Sequence, residues 1–222
     1  MNILFDLDGT LTDPEIGITR CIQHALASLS RPVPSTESLR RYIGPPLQGS
    51  FAELLETEEE VVVAEAIRLY RERFVVTGMF ENSVYPEIPA GLESLRKDGH
   101  RLWVATSKPH VYARQIVQHF GLAEFFEVVY GSELSGVNAE KAALIRTILA
   151  QEGLSTEETC MVGDRAQDVV GARANGIEVV AVLWGYGSPE ELSAAGPDQT
   201  VASMAELCEY ILRRDHSGGY VR

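Results

Sequence analysis

Two aspartates near the start of the chain, Asp6 and Asp8, have the spacing of a paired acidic site. They follow the apolar run Ile3-Leu4-Phe5, which predicts a buried strand. Alternate residues of an extended chain point the same way, so both carboxylates can line one pocket. An EF-hand calcium loop begins with this spacing, but it requires a preceding helix and glycine at its sixth position, where Leu11 stands here. Two interpretations remain: a reactive acidic pair at a strand end, or a solvated acidic turn.

A second acidic pair, Asp164 and Asp168, follows another apolar run, Cys160-Met161-Val162. Mg²⁺ takes oxygen ligands and keeps several waters, so a few carboxylates from different strand ends are enough to hold it. Asp164 is therefore a candidate to complete a magnesium site begun by Asp6 and the carbonyl of Asp8. Taken alone, the second pair is more typical of caps at the start of the next helix.

Hydroxyl and amine donors stand at two further places. Thr106 and Ser107 follow the predicted strand Leu102-Trp103-Val104-Ala105, and Lys141 opens a helical stretch. A transferring phosphoryl group carries charge on its oxygens, which donors and cations of these kinds stabilise. Taken singly, such residues are usually helix caps or solvated surface groups. Lys108 competes for the role of the lysine, but we expect it to point outward from a helix start and favour Lys141.

The elements that must position these residues are short apolar runs alternating with helical stretches. The runs are continuous rather than alternating in polarity, which is typical of strands covered on both faces. Glycines such as Gly153 and Gly196 stand where the intervening helices would end. The chain therefore predicts an α/β fold, a doubly wound parallel sheet with helices on both faces. The predicted strands are 2–5, 102–105, 126–130, 160–162 and 179–183.

The region between the first strand and Pro86 has a different pattern. Apolar residues recur with helical spacing from Ile18 to Leu29, and no strand signal interrupts the region. The segment Thr57-Glu58-Glu59-Glu60 predicts the capped start of a long helix that runs to about Gly78. Proline-rich turns separate the predicted helices.

This pattern predicts two units, an α/β core made of residues 1–14 and 83–222 and an all-helical insert made of residues 15–82. The chain crosses between them at 12–14 and 82–84, where we expect hinges if the insert moves as the α-helical cap that the resemblance below implies. Gly78 is expected to add slack nearby.

Composition excludes several classes of protein. The formal net charge is -13 and the 19 basic residues are scattered, so no cationic stripe for nucleic acid is expected. No apolar run approaches the roughly 20 residues that a membrane helix needs. The three cysteines lie far apart and read as buried apolar groups in a reducing compartment. The chain begins without a secretory leader pattern, so we expect a cytoplasmic protein, monomeric or homodimeric.

Taken together, the four groups of polar residues resemble the motifs of the haloacid-dehalogenase-like superfamily. Asp6 and Asp8 stand at its first motif, Thr106 at its second, Lys141 at its third, and Asp164 with Asp168 at its fourth. The resemblance covers the whole chain and implies a core sheet of strand order 5-4-1-2-3 under a mobile helical cap. Within the superfamily the chain is most similar to the phosphoglycolate-phosphatase-like branch with a small α-helical cap.

The resemblance implies a Mg²⁺-dependent phosphatase that acts on a small phosphorylated metabolite. Asp6 would attack phosphorus, and Asp8 would protonate the leaving oxygen and then activate water. Asp6, the Asp8 carbonyl and Asp164 would hold the metal, and Asp168 would do so directly or through water. The roles implied for the donors are phosphate binding by Thr106 and the backbone amides of Leu7 and Ser107, and bridging of Asp6 and phosphate by Lys141.

Several alternatives stay open. A 5'-nucleotidase or a phosphomutase would use the same motifs, and a non-catalytic binding protein is the alternative from another class. Dehalogenation is disfavoured because Asp8 is present, and a Schiff-base reaction is disfavoured because residues 15–82 contain no lysine. Arg40 and Arg41 are the candidates to contact the leaving group, although solvated positions are equally typical of arginine. A nucleoside would need an apolar shelf such as Tyr42 or Phe51.

Overall fold

The computed structural model describes residues 1–217, and its centre is a parallel six-stranded sheet. In spatial order the strands are β5 (Val129–Ser132), β4 (Arg101–Pro109), β1 (Asn2–Phe5), β6 (Thr159–Gly163), β7 (Glu178–Val182) and β8 (Gln199–Val201). The first five have the expected order when read from the other edge. The predicted α/β fold with a parallel sheet is confirmed.

Several strand predictions differ from the structure, among them β4, which was expected to end at Ala105 and runs to Pro109. The predicted strand 126–130 begins later, because Ala123–Phe125 forms a 3-10 turn and pairing with β4 starts only at Val129. The short edge strand β8 was not predicted, since only Val201 of its three residues is buried and no apolar run marks it.

Helices cover both faces of the sheet, as expected for strands without a polar side. They are α5 (Ile88–Lys97), α6 (His110–His119), α7 (Lys141–Glu152), α8 (Ala166–Arg173), α9 (Pro189–Ala195) and α10 (Met204–Ser217). Successive residues of β1 point to opposite faces: Leu4 packs in the cluster that contains residues of α7 and α8, whereas Ile3 and Phe5 belong to the larger cluster on the other side. Gly153 and Gly196 end α7 and α9 in the left-handed conformation, as predicted.

Between the first strand and α5 the chain forms four α-helices: α1 (Glu15–Ser28), α2 (Thr36–Leu39), α3 (Leu47–Leu55) and α4 (Glu60–Val76). The described elements from Glu15 to Phe80 are all helical. Helix α4 begins later than predicted, because Thr57 Oγ1 accepts the Glu59 amide at 3.2 Å while Glu59 itself occupies the N-cap position. The division into a core and a cap at 15–82 stays a prediction.

The two expected hinge segments pair with each other. Strand β2 (Thr12–Asp13) lies antiparallel to β3 (Ser83–Val84), with Thr12 opposite Val84. The chain thus leaves and re-enters the core through one two-stranded ribbon. In residues 1–217 no helix is both long and apolar enough to cross a membrane.

The expectation that Gly78 adds slack is wrong, because Gly78 is buried in a close contact. A Cβ at Gly17 of α1 would lie 2.0 Å from the Gly78 carbonyl oxygen, and one at Gly78 would lie 2.4 Å from Cys21 Sγ. Only glycine lets the two backbones approach so closely. This contact fixes the end of the helical region against α1.

We expect Gly17→Ala to lower the free energy of unfolding by about 1–3 kcal/mol, because the added methyl must push the two backbones apart. Gly49→Ala is the matched control: Gly49 lies in α3, a Cβ there meets nothing within 4 Å, and alanine should stabilise the helix by up to about 1 kcal/mol. Urea unfolding of both variants measures the difference. Equal stabilities would contradict the close contact.

Candidate active site

Three buried carboxylates, Asp6, Asp164 and Asp168, meet at the carboxyl ends of β1 and β6. Phe5 pairs with Val162, so the two chains leave their strands side by side. Each residue offers a carboxylate oxygen that lies within 4.8 Å of the others, and none of the three is more than 3% exposed. Such a set of oxygen donors can hold a divalent cation.

Glycines make room for these carboxylates. A Cβ at Gly9 or at Gly185 would lie 2.2 or 2.4 Å from Asp164 Oδ2, and one at Gly163 would lie 2.3 Å from Asp168 Cγ. Asp164 is held in this space by Thr10 Oγ1, which donates to Oδ1 at 3.1 Å, and by the amide of Tyr186, which donates to Oδ2 at 2.8 Å. Sequence reasoning did not connect Gly185 with Asp164, because the two residues are distant in the chain.

Lys141 lies inside the cluster, where the structure brings it to two carboxylates. Its Nζ is 2.9 Å from Asp6 Oδ1 and 2.8 Å from Asp168 Oδ1, and it donates to the Ala105 carbonyl at 2.8 Å. Burial alone would lower the pKa of Lys141, but Asp168 and Asp6 raise it above its usual value. The amine therefore stays charged. Through its contacts, Lys141 at the third motif lies against Asp6 at the first motif and Asp168 at the fourth.

The single positive charge of Lys141 does not balance the three carboxylates of Asp6, Asp164 and Asp168. Burial raises the pKa of Asp164 well above its usual value, and the neighbouring charges of Asp6 and Asp168 raise it further. Burial also raises the pKa of Asp168, against the opposing effect of Lys141. A cation bound among these oxygens would relieve this repulsion.

The expectation that Lys108 points outward is wrong. Its Nζ lies 2.6 Å from Asp8 Oδ2, and both side chains are more than nine-tenths buried. The reason is that β4 continues to Pro109 and α6 begins only at His110, so Lys108 is a strand-end residue. Its Nζ also lies 4.9 Å from the centroid of the Phe74 ring in α4, a cation–π contact.

Asp8 therefore experiences two opposing influences. Burial raises the pKa of its carboxyl group, and the charge and hydrogen bond of Lys108 lower it. Thr106 is buried, and its Oγ1 accepts the Lys108 amide at 3.2 Å. Ser107 is half-buried and accepts a hydrogen bond from Ser132 Oγ at its carbonyl, while Leu7 is fully buried.

A cavity of about 720 Å³ opens above these residues, between the core and the helical region. The core contributes Asp6, Asp8, Thr106, Ser107, Lys108, Tyr112 and the loop 132–136. The helical region contributes mostly apolar side chains, namely Tyr42, Pro45, Pro46, Leu47, Ile67, Tyr70 and Phe74, together with Gln48, Arg68 and Arg71. Tyr42 thus lines the cavity as expected for a shelf, whereas Phe51 is fully buried in the hydrophobic core.

The structure does not bring Arg40 and Arg41 to the cavity, contrary to prediction. Arg40 pairs with Glu15 and Arg41 pairs with Glu53, and both guanidinium side chains are more than half exposed. Arg71 of α4 lines the cavity instead, and its Nη2 donates to the Leu134 carbonyl at 3.1 Å. No feature of the sequence distinguishes Arg71 from the other arginines of the region.

Comparison with known proteins gives a family for this arrangement. The family model described as haloacid dehalogenase-like hydrolase matches residues 3–182. The chain belongs to this family. The enzyme is a phosphoric monoester hydrolase, as predicted from the motif positions.

Similar proteins cover nearly the whole enzyme. A 5'-nucleotidase of Pseudomonas aeruginosa is 48% identical over 206 residues, 93% of each chain. The tyrosine-protein kinase PtkA of Mycobacterium tuberculosis is 41% identical over 187 residues, which are 83% of this chain and 62% of PtkA. The crystal structure of a predicted phosphatase from Clostridium acetobutylicum superposes with a TM-score of 0.92 at 42% identity, and the match covers 96% of this chain and 98% of that one.

Proposed function

We propose that this enzyme is a Mg²⁺-dependent phosphatase that hydrolyses nucleoside 5'-monophosphates through a phosphorylated Asp6. The observation that carries the proposal is the size and chemistry of the cavity: Asp6 and Asp8 line it together with Thr106 and Lys108, and aromatic and aliphatic side chains of the helical region line it as well. The high identity to a 5'-nucleotidase over 93% of the chain supports it.

The cavity is suited to a leaving group larger than glycolate. Its volume lies within the range of about 300–1,000 Å³ that small-molecule sites occupy, and apolar walls are typical of such sites. A two-carbon acid would be held through its carboxylate by a cation. Arg68 is paired with Glu65 and Glu72, whereas Arg71 lines the cavity, donates through Nη2 to the Leu134 carbonyl and keeps a buried Nε without a partner among the described residues. Glycolate would leave the apolar wall unfilled, so phosphoglycolate, our first expectation, is the second candidate.

Mg²⁺ fits the acidic cluster. Asp6, Asp164 and Asp168 supply hard oxygen donors in a buried, negatively charged group, and the carbonyl of Asp8 is the further donor that we propose. When bound, the ion would offset the repulsion between Asp6 and a phosphate dianion. Both oxygens of Asp168 already contact Lys141 Nζ and the Arg165 amide, so we propose that Asp168 acts mainly by orienting these groups.

In the first half-reaction an oxygen of Asp6 forms a bond to phosphorus while the ester bond breaks. Asp8 gives its proton to the leaving oxygen, and burial, which raises the pKa of this carboxyl, favours the protonated form. In the second, Asp8 accepts a proton from water as the water oxygen attacks phosphorus, and Asp6 and inorganic phosphate are released. Two easier displacements replace one difficult displacement.

The remaining roles are electrostatic. Lys141 holds Asp6 in position and neutralises part of the charge that develops on phosphate. We propose that Thr106 and the backbone amides of Leu7 and Ser107 bind the nonbridging oxygens. Lys108 restrains Asp8 at the mouth of the cavity.

A substrate panel tests the proposal. We expect kcat/KM for nucleoside 5'-monophosphates to exceed that for phosphoglycolate at least tenfold, about 1.4 kcal/mol of transition-state binding, because only the nucleoside fills the apolar wall. Arg40→Ala and Arg41→Ala should leave this ranking unchanged, since neither residue lines the cavity. Phosphate release is measured for each ester, with separate assays for phosphate isomers and for transfer from ATP to a tyrosine peptide. Phosphoglycolate as the best substrate would overturn the choice of leaving group, and isomer formation without phosphate release would indicate a mutase.

A further inference from the structure

We infer that Arg165 is a positioning residue that sets the place of the cavity wall and thereby selects substrates with large leaving groups. The inference rests on the proposed function for its substrate class. Arg165 stands between Asp164 and Asp168 of the acidic cluster in the chain. Its side chain contacts Glu191 and the Ile43 carbonyl instead.

The backbone and side chain of Arg165 serve different parts of the molecule. Its amide donates to Asp168 Oδ2 at 3.1 Å, which ties the backbone to the acidic cluster. Its guanidinium group reaches the helical region, where Nη1 donates to the Ile43 carbonyl at 2.7 Å. Arg165 therefore connects the acidic loop of the core to a segment that lies over 100 positions earlier in the chain.

An acidic residue of the core, Glu191, also holds the guanidinium group in place. Nε lies 2.9 Å from Glu191 Oε1, and the same oxygen accepts the Ala166 amide at 2.9 Å. Glu191 lies in the first turn of α9, capped by Ser188. The Arg165 side chain is only 12% exposed, so a single well-defined conformation is favoured.

The segment that Arg165 holds is the Gly44 turn, residues 43–46. Ile43 is fully buried, and Gly44 has a φ of +100°. A Cβ at Gly44 would lie 3.4 Å from Arg165 Cγ, so the turn packs directly on the aliphatic part of the arginine. Gly44, Pro45 and Pro46 line the cavity. The distance between this wall and Asp6 is thus set through Arg165.

Among residues 1–217, Arg165 is not one of those that line the cavity. Its guanidinium group contacts Glu191 and the Ile43 carbonyl, so we assign it no direct role in phosphoryl transfer. Loss of its side-chain contacts would let the Gly44 turn move while the acidic cluster keeps its partners. The affinity for a nucleoside monophosphate would fall, whereas a substrate too small to reach the Gly44 turn would react at the same rate as before.

The test is Arg165→Met, which keeps an aliphatic stem against Gly44 and removes both polar contacts. We expect kcat/KM for a nucleoside 5'-monophosphate to fall about tenfold relative to that for acetyl phosphate, mainly through KM. The Mg²⁺-induced rise in Tm should be unchanged, and amide hydrogen exchange at 43–48 should become faster while that of α8 stays the same. Arg173→Met is the matched control, since Arg173 lies in the last turn of the helix that Arg165 precedes as N-cap, and it donates to the Gly196 carbonyl.

Three results would overturn the inference: an equal fall for both substrates, a lost response to Mg²⁺, or unchanged exchange at the Gly44 turn. Failure of the wild type to hydrolyse nucleoside monophosphates would refute the proposed substrate, but the exchange measurement would still decide the role of Arg165. If Arg165→Met does not fold, Glu191→Gln weakens the support of the guanidinium group and should give a smaller change in the same direction.

Discussion

Asp6→Asn should lower kcat by at least about a thousandfold while the protein remains folded, because the amide is a far poorer nucleophile than the carboxylate. The change preserves side-chain volume but removes the charge that faces Lys141 at 2.9 Å. Asp8→Asn should also slow turnover, because both half-reactions lose their acid and base. Steady-state kinetics with a nucleoside monophosphate and with acetyl phosphate measure both effects.

Asp98→Asn is the control for the first experiment, since Asp98 is exposed at the end of α5. It should retain full activity, and circular dichroism should show the same helix content in all variants. Turnover by Asp6→Asn within tenfold of the wild type, equivalent to about 1.4 kcal/mol of barrier, would rule out Asp6 as the nucleophile.

Removal of divalent cations with EDTA should abolish activity, and Mg²⁺ should restore it. Mg²⁺ should also raise the Tm of the metal-free enzyme, because the ion relieves repulsion among three buried carboxylates. Asp164→Asn should remove most of this rise in Tm. Ca²⁺ should inhibit, because a larger ion with a higher coordination number can draw both oxygens of Asp6 into its shell.

Thermal unfolding gives a measurement of the metal site that is independent of turnover. Asp198→Asn removes an exposed charge outside the cluster and should keep the response to Mg²⁺. Full activity in EDTA, or in Ca²⁺ alone, would refute the proposed metal dependence. An equal rise in Tm for the wild type and Asp164→Asn would place the ion elsewhere.

The acidic cluster could be predicted from the sequence because its carboxylates stand next in the chain to the strands that position them. A carboxylate directly after an apolar strand must lie at the sheet edge, and parallel strands bring their carboxyl ends to the same edge. Asp6 and Asp164 meet as this argument requires, whereas Lys141 reaches Asp6 from the start of α7. The parallel sheet followed from the same continuous apolar runs.

Other parts of the site depend on partners that are distant in the chain. Arg40 and Arg41 were the candidates to contact the leaving group, but the structure places an acid beside each of them. The interpretation of Lys108 failed because β4 runs to Pro109, beyond the apolar residues that marked it. In each case a nonlocal contact decided what the side chain does, and a single sequence carries no signal for it.

The ribbon of β2 and β3 restricts how the helical region can move. A single linker would allow the helical region to rotate about several axes. Two strands paired side by side bend most easily about one axis, so the ribbon favours a hinge motion. The aromatic wall, the bond from Arg71 to the Leu134 carbonyl and the contact of Phe74 with Lys108 would then separate together. Entry of substrate and exit of product would share one motion, and the rate of that motion would set an upper limit on turnover.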